Sequence, residues 1–338
     1  MKYIYGPVPS RRLGQSLGVD PIPFKTCNYN CVYCQLGRTT PLTNERRDFF
    51  PREGILAQVR EALERHQPGE IDYVTFVGQG EPTLCASLGW LIRQVKALTD
   101  VPLAVLTNGA LLYQPEVREE LAAADLVMPT LDAANQETFR QINRPWPRFR
   151  IAEIIEGMAA FRRMFTGQLW MEVMLVKGLN DDEATLLGIR DALARIHPDR
   201  VQINVPIRPP AEPWVEIPDD EAIERATAIL GEVSEVVAPY EGYFDLSGFA
   251  DVAEAILAII RRHPMRQQRL METLDRWTPG EVEETLPLTE LRTLPLTLLR
   301  TLARLESSGQ ARKRVYRGEI FWEYAGRTFG EKRVHREP

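Results

Sequence analysis

The first two thirds of the chain alternate between helical and strand-like patterns of apolar residues. Apolar side chains recur at helical spacing across residues 52–66, which predicts a helix there. A run rich in β-branched residues follows at 71–77 and ends at Gly78, as expected of a buried strand. The same alternation continues along the chain. It predicts strands at residues 16–20, 71–77, 103–106, 126–131, 169–176 and 200–205.

Strands that alternate with helices favour a parallel sheet, here of six βα units. In barrels built from such units, the loops at the carboxyl ends of the strands form the active site. Polar residues at or near the predicted strand ends are therefore candidates for binding or catalysis, although such residues also serve as helix caps or loop anchors. The candidates are Asn108, Asp132, Glu172, Lys177, Asn204 and Arg208.

The pattern changes after residue 263. It predicts a helix over residues 265–277, a short helix opened by the capping box at 278–281, a helix over 295–308 and a hairpin over 311–324. Three helices and a hairpin resemble a winged helix, whose third helix and wing contact nucleic acid or a protein. The candidate contact residues are Arg300, Arg304, Arg312, Lys313, Arg314 and Arg317, although solvated surface residues would show the same pattern.

Length and composition allow one large core and a smaller domain, since the chain has 338 residues and is 44% apolar. We predict a core over residues 1–245, a linking helix over 246–263 and a winged-helix-like domain over 264–338. Net charge is −6, yet residues 261–338 hold 16 Lys and Arg against 11 Asp and Glu. No apolar run reaches the length of about 18 residues that a membrane span needs, and the N-terminus lacks a signal-peptide core, so a cytoplasmic protein is expected.

Three of the four cysteines lie within eight residues, as Cys27, Cys31 and Cys34. A short loop of this spacing can place three thiolates on three irons of a [4Fe–4S] cluster and leave the fourth iron open. Zinc sites usually pair two knuckles of cysteine or histidine. Here the one other cysteine is Cys85, expected to be a small buried apolar residue, and the histidines are scattered. Zinc or a merely structural cysteine cluster is therefore the weaker alternative.

This loop resembles the signature of the radical S-adenosylmethionine (SAM) superfamily. The resemblance implies an open, partial (β/α)6 TIM-like barrel. It also implies that the open iron chelates SAM and cleaves it reductively to a 5′-deoxyadenosyl radical, which abstracts hydrogen from a substrate. Tyr33 matches an aromatic position that the superfamily places near the adenine.

The turn Gly78-Gln79-Gly80-Glu81-Pro82 follows the second predicted strand. It resembles the superfamily's GGE motif, which binds the amino group of SAM, except that Gln79 replaces the first glycine of the usual pair. The resemblance implies cofactor contacts for Gly78, Gly80 and Glu81. Asn108 and Asn204 suit hydrogen bonds to the ribose or carboxylate of SAM. Asp132, Glu172, Lys177 and Arg208 remain as catalytic candidates.

The N-terminal string GPVPSRRLG at residues 6–14 is rich in glycine and proline, and we expect it to form a loop that leads into the first strand. Its adjacent arginines, Arg11 and Arg12, suit a carboxylate or phosphate, or else pair with surface acids. Together with the cysteine loop, this string resembles radical SAM proteins grouped with the wyosine tRNA synthases. Residues 131–145 are similar to a segment of radical SAM activating enzymes.

These resemblances predict a macromolecular substrate, and the basic tail favours RNA. A second cluster held in the same way is not possible, because Cys85 is the only cysteine left, so wyosine chemistry itself is not expected. An external one-electron reductant such as flavodoxin or ferredoxin is implied. Modification of a partner protein is the alternative within the enzyme class. The alternative outside it is an iron–sulfur sensor that controls DNA binding by the winged helix.

Overall fold

The computed structural model describes residues 3–238, 244, 246, 249, 251–275 and 294–325. The chain divides into two compact units, residues 1–244 and residues 245–338. The first unit contains the cysteine loop and all of the strand-end candidates. The second unit contains the basic residues of the predicted winged helix and the segment predicted as a linking helix.

One sheet of eight strands, hydrogen-bonded in chain order, forms the centre of the first unit. The first two strands pair antiparallel, and all later neighbours pair parallel. The strands are β1 (Ile4–Ser10), β2 (Gly14–Val19), β3 (Tyr73–Phe76), β4 (Leu103–Thr107), β5 (Leu126–Pro129), β6 (Gln168–Met174), β7 (Arg200–Asn204) and β8 (Ser234–Val236).

A helix or pair of helices follows each strand from β2 to β7, so the chain builds the six predicted βα units. This order confirms an α/β fold with a parallel sheet and is consistent with the expected partial barrel. The helices are α1 (Arg52–Glu64), α2 (Leu88–Lys96), α3 (Pro115–Leu121), α4 (Gln136–Ile142), α5 (Ile151–Met164), α6 (Glu183–Ile196) and α7 (Asp220–Leu230), with 3₁₀ turns at Pro82–Leu84 and Ala110–Tyr113.

Side-chain caps set the start of three of these helices. Asn135, Asp182 and Asp219 precede α4, α6 and α7, and each accepts a hydrogen bond from a backbone N–H in the first turn of its helix. Such a bond satisfies a donor that has no partner within the helix. The apolar helix faces then pack on the sheet in one large core, in which Ile55 of α1 and Phe76 of β3 are fully buried.

The N-terminus differs from the prediction. Residues 6–14 were expected to form a loop, but the structure shows strand β1 and a turn into β2. Pro7 and Pro9 cannot donate to a ladder of backbone hydrogen bonds, so their presence argues against a central strand. β1 tolerates them because it lies at the edge of the sheet. The short edge strand β8 was also not expected.

The turn between β1 and β2 carries Arg11, Arg12 and Leu13. Leu13 is 2% exposed and packs in an apolar cluster with residues of β4, β5 and β6, namely Ala104, Leu126, Met128 and Trp170. Burial of Leu13 among these strands brings the preceding arginines next to the sheet. Both therefore lie within reach of the strands that carry the candidate residues.

The second unit contains helices α8 (Val252–Ile260), α9 (Gln267–Asp275) and α10 (Leu294–Ser307) and a three-stranded antiparallel sheet. Its strands are β9 (Met265–Arg266), β10 (Ala311–Tyr316) and β11 (Glu319–Tyr324). The predicted third helix and hairpin are confirmed, and Arg317 and Gly318 at the hairpin turn both have positive φ. The capping box at 278–281, predicted to open a short helix, lies outside the described residues. Within the described part of the chain, no helix is long and apolar enough to cross a bilayer.

Candidate functional site

The cysteine loop lies at the carboxyl edge of the parallel strands, where the fold predicts an active site. It follows β2, and its backbone pairs with segments that follow β5 and β7. The N–H of Val32 donates to the carbonyl of Ile142 (2.9 Å), and the N–H of Asn30 donates to the carbonyl of Asn143 (3.0 Å). The N–H of Glu212 donates to the carbonyl of Val32 (3.0 Å). Two segments, one after β5 and one after β7, thus fix the loop.

Each of the three sulfur atoms in the loop accepts at least one N–H hydrogen bond. Asn108 Nδ2 lies 3.8 Å and the backbone nitrogen of Tyr29 3.4 Å from Sγ of Cys27. Asn143 Nδ2 lies 3.6 Å from Sγ of Cys31. The ammonium of Lys25 lies 3.2 Å from Sγ of Cys34. Such donors stabilise thiolate ligands and tune the potential of iron–sulfur centres.

Three of the four cysteines form a set of free thiols on one loop. All four are free thiols. Among the described residues, no three His, Cys, Asp or Glu side chains converge as the ligands of one ion. A [4Fe–4S] cluster binds each thiolate at a different iron, so its ligands need not converge on one point. Three free thiols with N–H donors on one fixed loop therefore suit this cofactor.

The pKa of Cys27 is raised to about 12, mainly by burial and also by the Glu81 carboxylate, while Lys25 acts in the opposite direction. Burial also raises the pKa of Cys31 well above its usual value. Without metal these two sulfurs are held as neutral thiols. A metal that bound these thiols would have to displace their protons.

A buried carboxylate supports the loop from the segment after β7. Glu212 is 3% exposed and accepts two hydrogen bonds from the guanidinium of Arg38, at 2.9 and 2.7 Å. A third hydrogen bond comes from Arg144, at 2.5 Å. Sequence reasoning missed Glu212, since a single glutamate in a proline-rich loop gives no local signal of its partners.

A hydrogen bond between Tyr33 and Asp132 is a second contact that holds the cysteine loop. The hydroxyl of Tyr33 donates to Asp132 (2.5 Å), and so does the side-chain amide of Asn143 (2.6 Å). The other carboxylate oxygen accepts the N–H of Met174 (2.8 Å). Asp132 was selected as a catalytic candidate and Tyr33 as an adenine contact. In the structure both belong to the hydrogen-bond network beside Cys31, and a contact of Tyr33 with the adenine remains a prediction.

The turn after β3 packs directly on the cysteine loop. A Cβ atom on Gly80 would lie 1.9 Å from the carbonyl oxygen of Thr26, so only glycine fits there. The N–H of Glu81 donates to this same carbonyl (2.9 Å). Gln79, which replaces a glycine of the motif, turns its amide to Asp20 at the end of β2. The turn is thus built around the start of the loop.

Glu81 is 1% exposed, and its carboxylate accepts four hydrogen bonds. One oxygen accepts from the backbone and the hydroxyl of Thr83 and from the hydroxyl of Thr107, at 3.0, 2.6 and 2.6 Å. The other accepts from the backbone N–H of Asn108 at 2.6 Å. Glu81 therefore ties the turn after β3 to the end of β4. Its predicted contact with SAM remains a prediction.

A cavity of about 200 Å³ opens beside the cysteines. Cys27, Cys31, Glu81 and Asn108 line one part of it, and the rest includes Arg12, Thr130 and Glu172. The structure thus brings cysteines, the motif turn and strand-end candidates around a single space. Lys177 is exposed and does not line this cavity.

The remaining candidates meet the N-terminal arginines. Arg12 forms an ion pair with Glu172 in β6. Arg11 donates to Oδ1 of Asn204 at the end of β7 (3.0 Å), and Nδ2 of Asn204 lies 3.5 Å from Glu172. Arg208 donates to Gln35 of the cysteine loop (2.9 Å). The side chain of Asn204, predicted to bind SAM, is thus engaged by Arg11 and Glu172.

In the second unit, the basic residues of the hairpin have acidic partners. Arg312 and Arg314 both pair with Glu323, at 2.9 and 3.5 Å, and Lys313 pairs with Glu306 at 3.1 Å. Arg300 and Arg304 lie one turn apart on α10 and are exposed. Arg317 occupies the hairpin turn.

The chain is similar to known proteins over much of its length. A model of the radical SAM superfamily matches residues 22–187. A UPF0026 protein of Methanocaldococcus jannaschii is 37% identical over 281 residues, which cover 82% of this chain and 87% of that protein. A GTPase Obg of Brachyspira hyodysenteriae is 42% identical over 225 residues, which cover 67% of this chain and 33% of that longer protein. A radical SAM methyltransferase from Sphaerobacter thermophilus gives a TM-score of 0.48 at 19% identity, over 65% of this chain and 66% of that structure.

The family match assigns the cofactors. Proteins of this superfamily use a [4Fe–4S] cluster and SAM, and they generally need an external reductant and a substrate. The cysteine loop lies within the matched residues. The chain belongs to the UPF0026 family within the radical SAM superfamily, and it is an enzyme of SAM radical chemistry.

Proposed function

We propose that Cys27, Cys31 and Cys34 bind the [4Fe–4S] cluster and that the enzyme abstracts hydrogen from an RNA substrate. When bound, the cluster and SAM supply the radical for this step. The observation that carries the cluster assignment is the N–H donor at each of the three sulfurs. A cavity of about 200 Å³ opens beside two of them, and part of SAM would lie there.

The chain's own residues position the cofactors in this proposal. Gly80 allows the motif turn to approach the cysteine loop. The carboxylate of Glu81 accepts the backbone N–H of Asn108 and so holds Asn108 in place. Asn108 in turn donates to Asn28 in the loop (2.7 Å) and lies beside Cys27. The turn at Gly78 to Glu81 and Asn108 thus forms one wall at which SAM would bind. An external flavodoxin or ferredoxin would deliver the electron.

Support for RNA comes from the second unit. Its helices and hairpin suit a winged helix, and α10 would be the helix that contacts nucleic acid. Arg300 and Arg304 are exposed on that helix. The arginines of the β-hairpin, Arg312 and Arg314, both pair with the carboxylate of Glu323. A pair of exposed arginines one turn apart can bind neighbouring phosphates.

A protein substrate is the alternative, and one observation favours it. Val315 and Ile320 are partners across the hairpin, and they are 70% and 39% exposed. An exposed apolar pair at a hairpin end suits contact with a partner polypeptide. Modification of a partner protein would then use the hairpin end instead of α10.

The cluster assignment is tested by anaerobic reconstitution with iron and sulfide, followed by SAM and dithionite. We expect 5′-deoxyadenosine in the chromatogram of the wild type and of Cys85→Ala, and none from Cys31→Ala. Equal product from both variants would refute the assignment.

RNA binding is tested separately, by fluorescence anisotropy with a labelled bulk tRNA. We expect the double variant Arg300→Gln/Arg304→Gln to bind more weakly and to lower the slope of log affinity against log salt by roughly 1.5. Arg190→Gln, an exposed arginine of α6 in the first unit, is the matched control. A wild-type affinity for tRNA in the double variant would shift the proposal to a protein substrate.

A further inference from the structure

A second cavity of the first unit, of about 230 Å³, has an aromatic lining. Its aromatic side chains are Tyr113, Trp146 and Phe149. Phe149 is buried and packs edge-on against Tyr113, with ring centroids 6.2 Å apart. Tyr113 is 37% exposed, and Trp146 is partly exposed. This aromatic cavity therefore offers ring faces that a flat ligand from solvent can reach.

Charged and polar side chains complete the lining of the aromatic cavity. Arg148, Arg150 and Glu153 line it and are exposed. Among the described residues, neither of these two guanidinium groups has an ion-pair or hydrogen-bond partner. Asn44 lines the cavity as well, and its Oδ1 accepts a hydrogen bond from Nδ2 of Asn28 (3.1 Å). The lining thus carries two positive charges against one negative charge, together with an amide group.

The cysteine loop connects the aromatic cavity to the cavity beside the cysteines. The carbonyl of Asn28 accepts the backbone N–H of Trp146 (2.8 Å), and its side-chain oxygen accepts from Asn108 (2.7 Å). Asn108 and Tyr29 both line the cavity beside the cysteines. The ring of Tyr29 packs edge-on against Phe149 in the aromatic cavity, with centroids 6.3 Å apart. A ligand in the aromatic cavity would therefore lie close to the cysteine loop.

This combination of side chains matches the parts of a nucleotide. Proteins bind single-stranded RNA by stacking its bases on aromatic side chains, and arginines contact its phosphates. A carboxylate such as that of Glu153 accepts hydrogen bonds from the amino groups of bases, and an amide such as that of Asn44 donates to their ring nitrogens. Pockets for drug-sized ligands have volumes of roughly 300–1,000 Å³. The smaller aromatic cavity therefore suits one base.

We propose that the aromatic cavity binds one nucleotide of the RNA substrate, with the base stacked on Trp146 and the phosphate at Arg148 and Arg150. The inference rests on the proposed function, because it assigns this nucleotide to the RNA substrate. The backbone of Trp146 is hydrogen-bonded to the cysteine loop. A base stacked on its ring would therefore position the RNA relative to the cavity beside the cysteines. A free mononucleotide is the other source of the same chemistry.

The test uses the full-length reconstituted protein and a labelled single-stranded hexanucleotide of RNA, measured by fluorescence anisotropy without SAM or reductant. We expect Trp146→Ala to bind this RNA between about fivefold and about 150-fold more weakly, and Trp146→Phe, which keeps an aromatic ring, to stay within about threefold of the wild type. The double variant Arg148→Gln/Arg150→Gln should lower the slope of log affinity against log salt by roughly 1.4. Trp214→Ala and Arg190→Gln replace exposed residues of the first unit that do not line the aromatic cavity, and both should bind as the wild type does.

Equal affinity in the wild type and Trp146→Ala, or an equal loss in Trp214→Ala, would overturn the nucleotide site and leave RNA binding by α10 as it is. Equilibrium dialysis with labelled adenosine 5′-monophosphate tests the other source. We expect this mononucleotide to bind at least about tenfold more weakly than the hexanucleotide, and an affinity as high as that of the RNA would overturn the assignment to RNA. A wild type that binds no RNA would refute the proposed substrate and the nucleotide site together. Formation of 5′-deoxyadenosine is scored in separate reactions, so a failure of the cluster assignment is distinguished from a failure of the site.

Discussion

Asn143 connects the buried carboxylate of Asp132 to the sulfur of Cys31. Its side-chain nitrogen lies 2.6 Å from Oδ2 of Asp132 and 3.6 Å from Sγ of Cys31. The carboxylate therefore fixes the amide in the orientation that offers its second hydrogen to the sulfur. Partners of this kind, one step removed from the metal, set ligand orientation and redox potential.

Replacement of Asn143 by Leu should make the potential of the cluster more negative. The near-isosteric side chain removes an N–H donor that stabilises the extra negative charge of the reduced state. A redox titration followed by electron paramagnetic resonance measures the shift. Asn135→Ala, which removes the cap of α4 nearby, should lower stability by about 1 kcal/mol and leave the potential as it is. Equal potentials in wild type and Asn143→Leu would contradict a role for this donor.

Cys31→Ala should lose the cluster, because two remaining thiolates cannot hold three irons. Iron and sulfide analysis and the visible absorption of the reconstituted protein measure this loss. Cys85→Ala is the matched control, since Cys85 is equally a free cysteine but is 1% exposed and contacts Ser87. Normal iron content in Cys31→Ala would show that the loop is not the cluster site.

Glu81→Gln should destabilise the metal-free protein by about 1–3 kcal/mol. Glutamine keeps one acceptor oxygen and has an NH2 group in place of the other, so either the N–H of Asn108 or the donors from Thr83 and Thr107 lose their acceptor. Urea unfolding measures the difference. Glu53→Gln on the surface of α1 should leave the free energy of unfolding unchanged. A variant of Glu81 as stable as the wild type would mean that this hydrogen-bond set contributes little.

Asp132 should make stability depend on pH. Burial raises its pKa to about 6, although hydrogen bonds from Tyr33, Met174 and Asn143 act in the opposite direction. In the unfolded chain the pKa is about 3.9. The folded protein therefore keeps the proton over a pH range in which the unfolded chain has lost it. The free energy of unfolding should fall as the pH rises from about 4 to about 6, by up to about 3 kcal/mol.

Comparison with Asp132→Asn isolates this effect, because the amide does not titrate. Urea unfolding of both metal-free proteins across that pH range gives the difference in stability at each pH. We expect the wild type to lose stability relative to the variant as the pH rises. A difference that stays constant with pH would show that Asp132 keeps an ordinary pKa in the fold.

The spacing of Cys27, Cys31 and Cys34 and the alternation of helices and strands are local patterns. The spacing of the cysteines predicts a loop with three thiolate ligands, and the period of apolar side chains predicts the helices and strands of a parallel sheet. Both patterns depend only on residues that are close together in the chain. The hairpin of the second unit was predictable for the same reason, since Arg317 and Gly318 supply the turn. Strand β1 was not predicted, because Pro7 and Pro9 argue against a strand. They are tolerated in β1 because it lies at the edge, and the position of a strand at an edge depends on the whole sheet.

The sequence by itself determined the spacing of the three cysteines, the fold class and the family resemblance. Only the tertiary structure decided what surrounds the sulfurs. Asn143 is 112 residues from Cys31 in the chain, and Glu212 is 174 residues from Arg38. Asn204 contacts Arg11 across 193 residues. Residue pairs so far apart in the chain give no periodic pattern in a single sequence. Their contacts form only when the parallel strands place their carboxyl ends at one edge of the sheet.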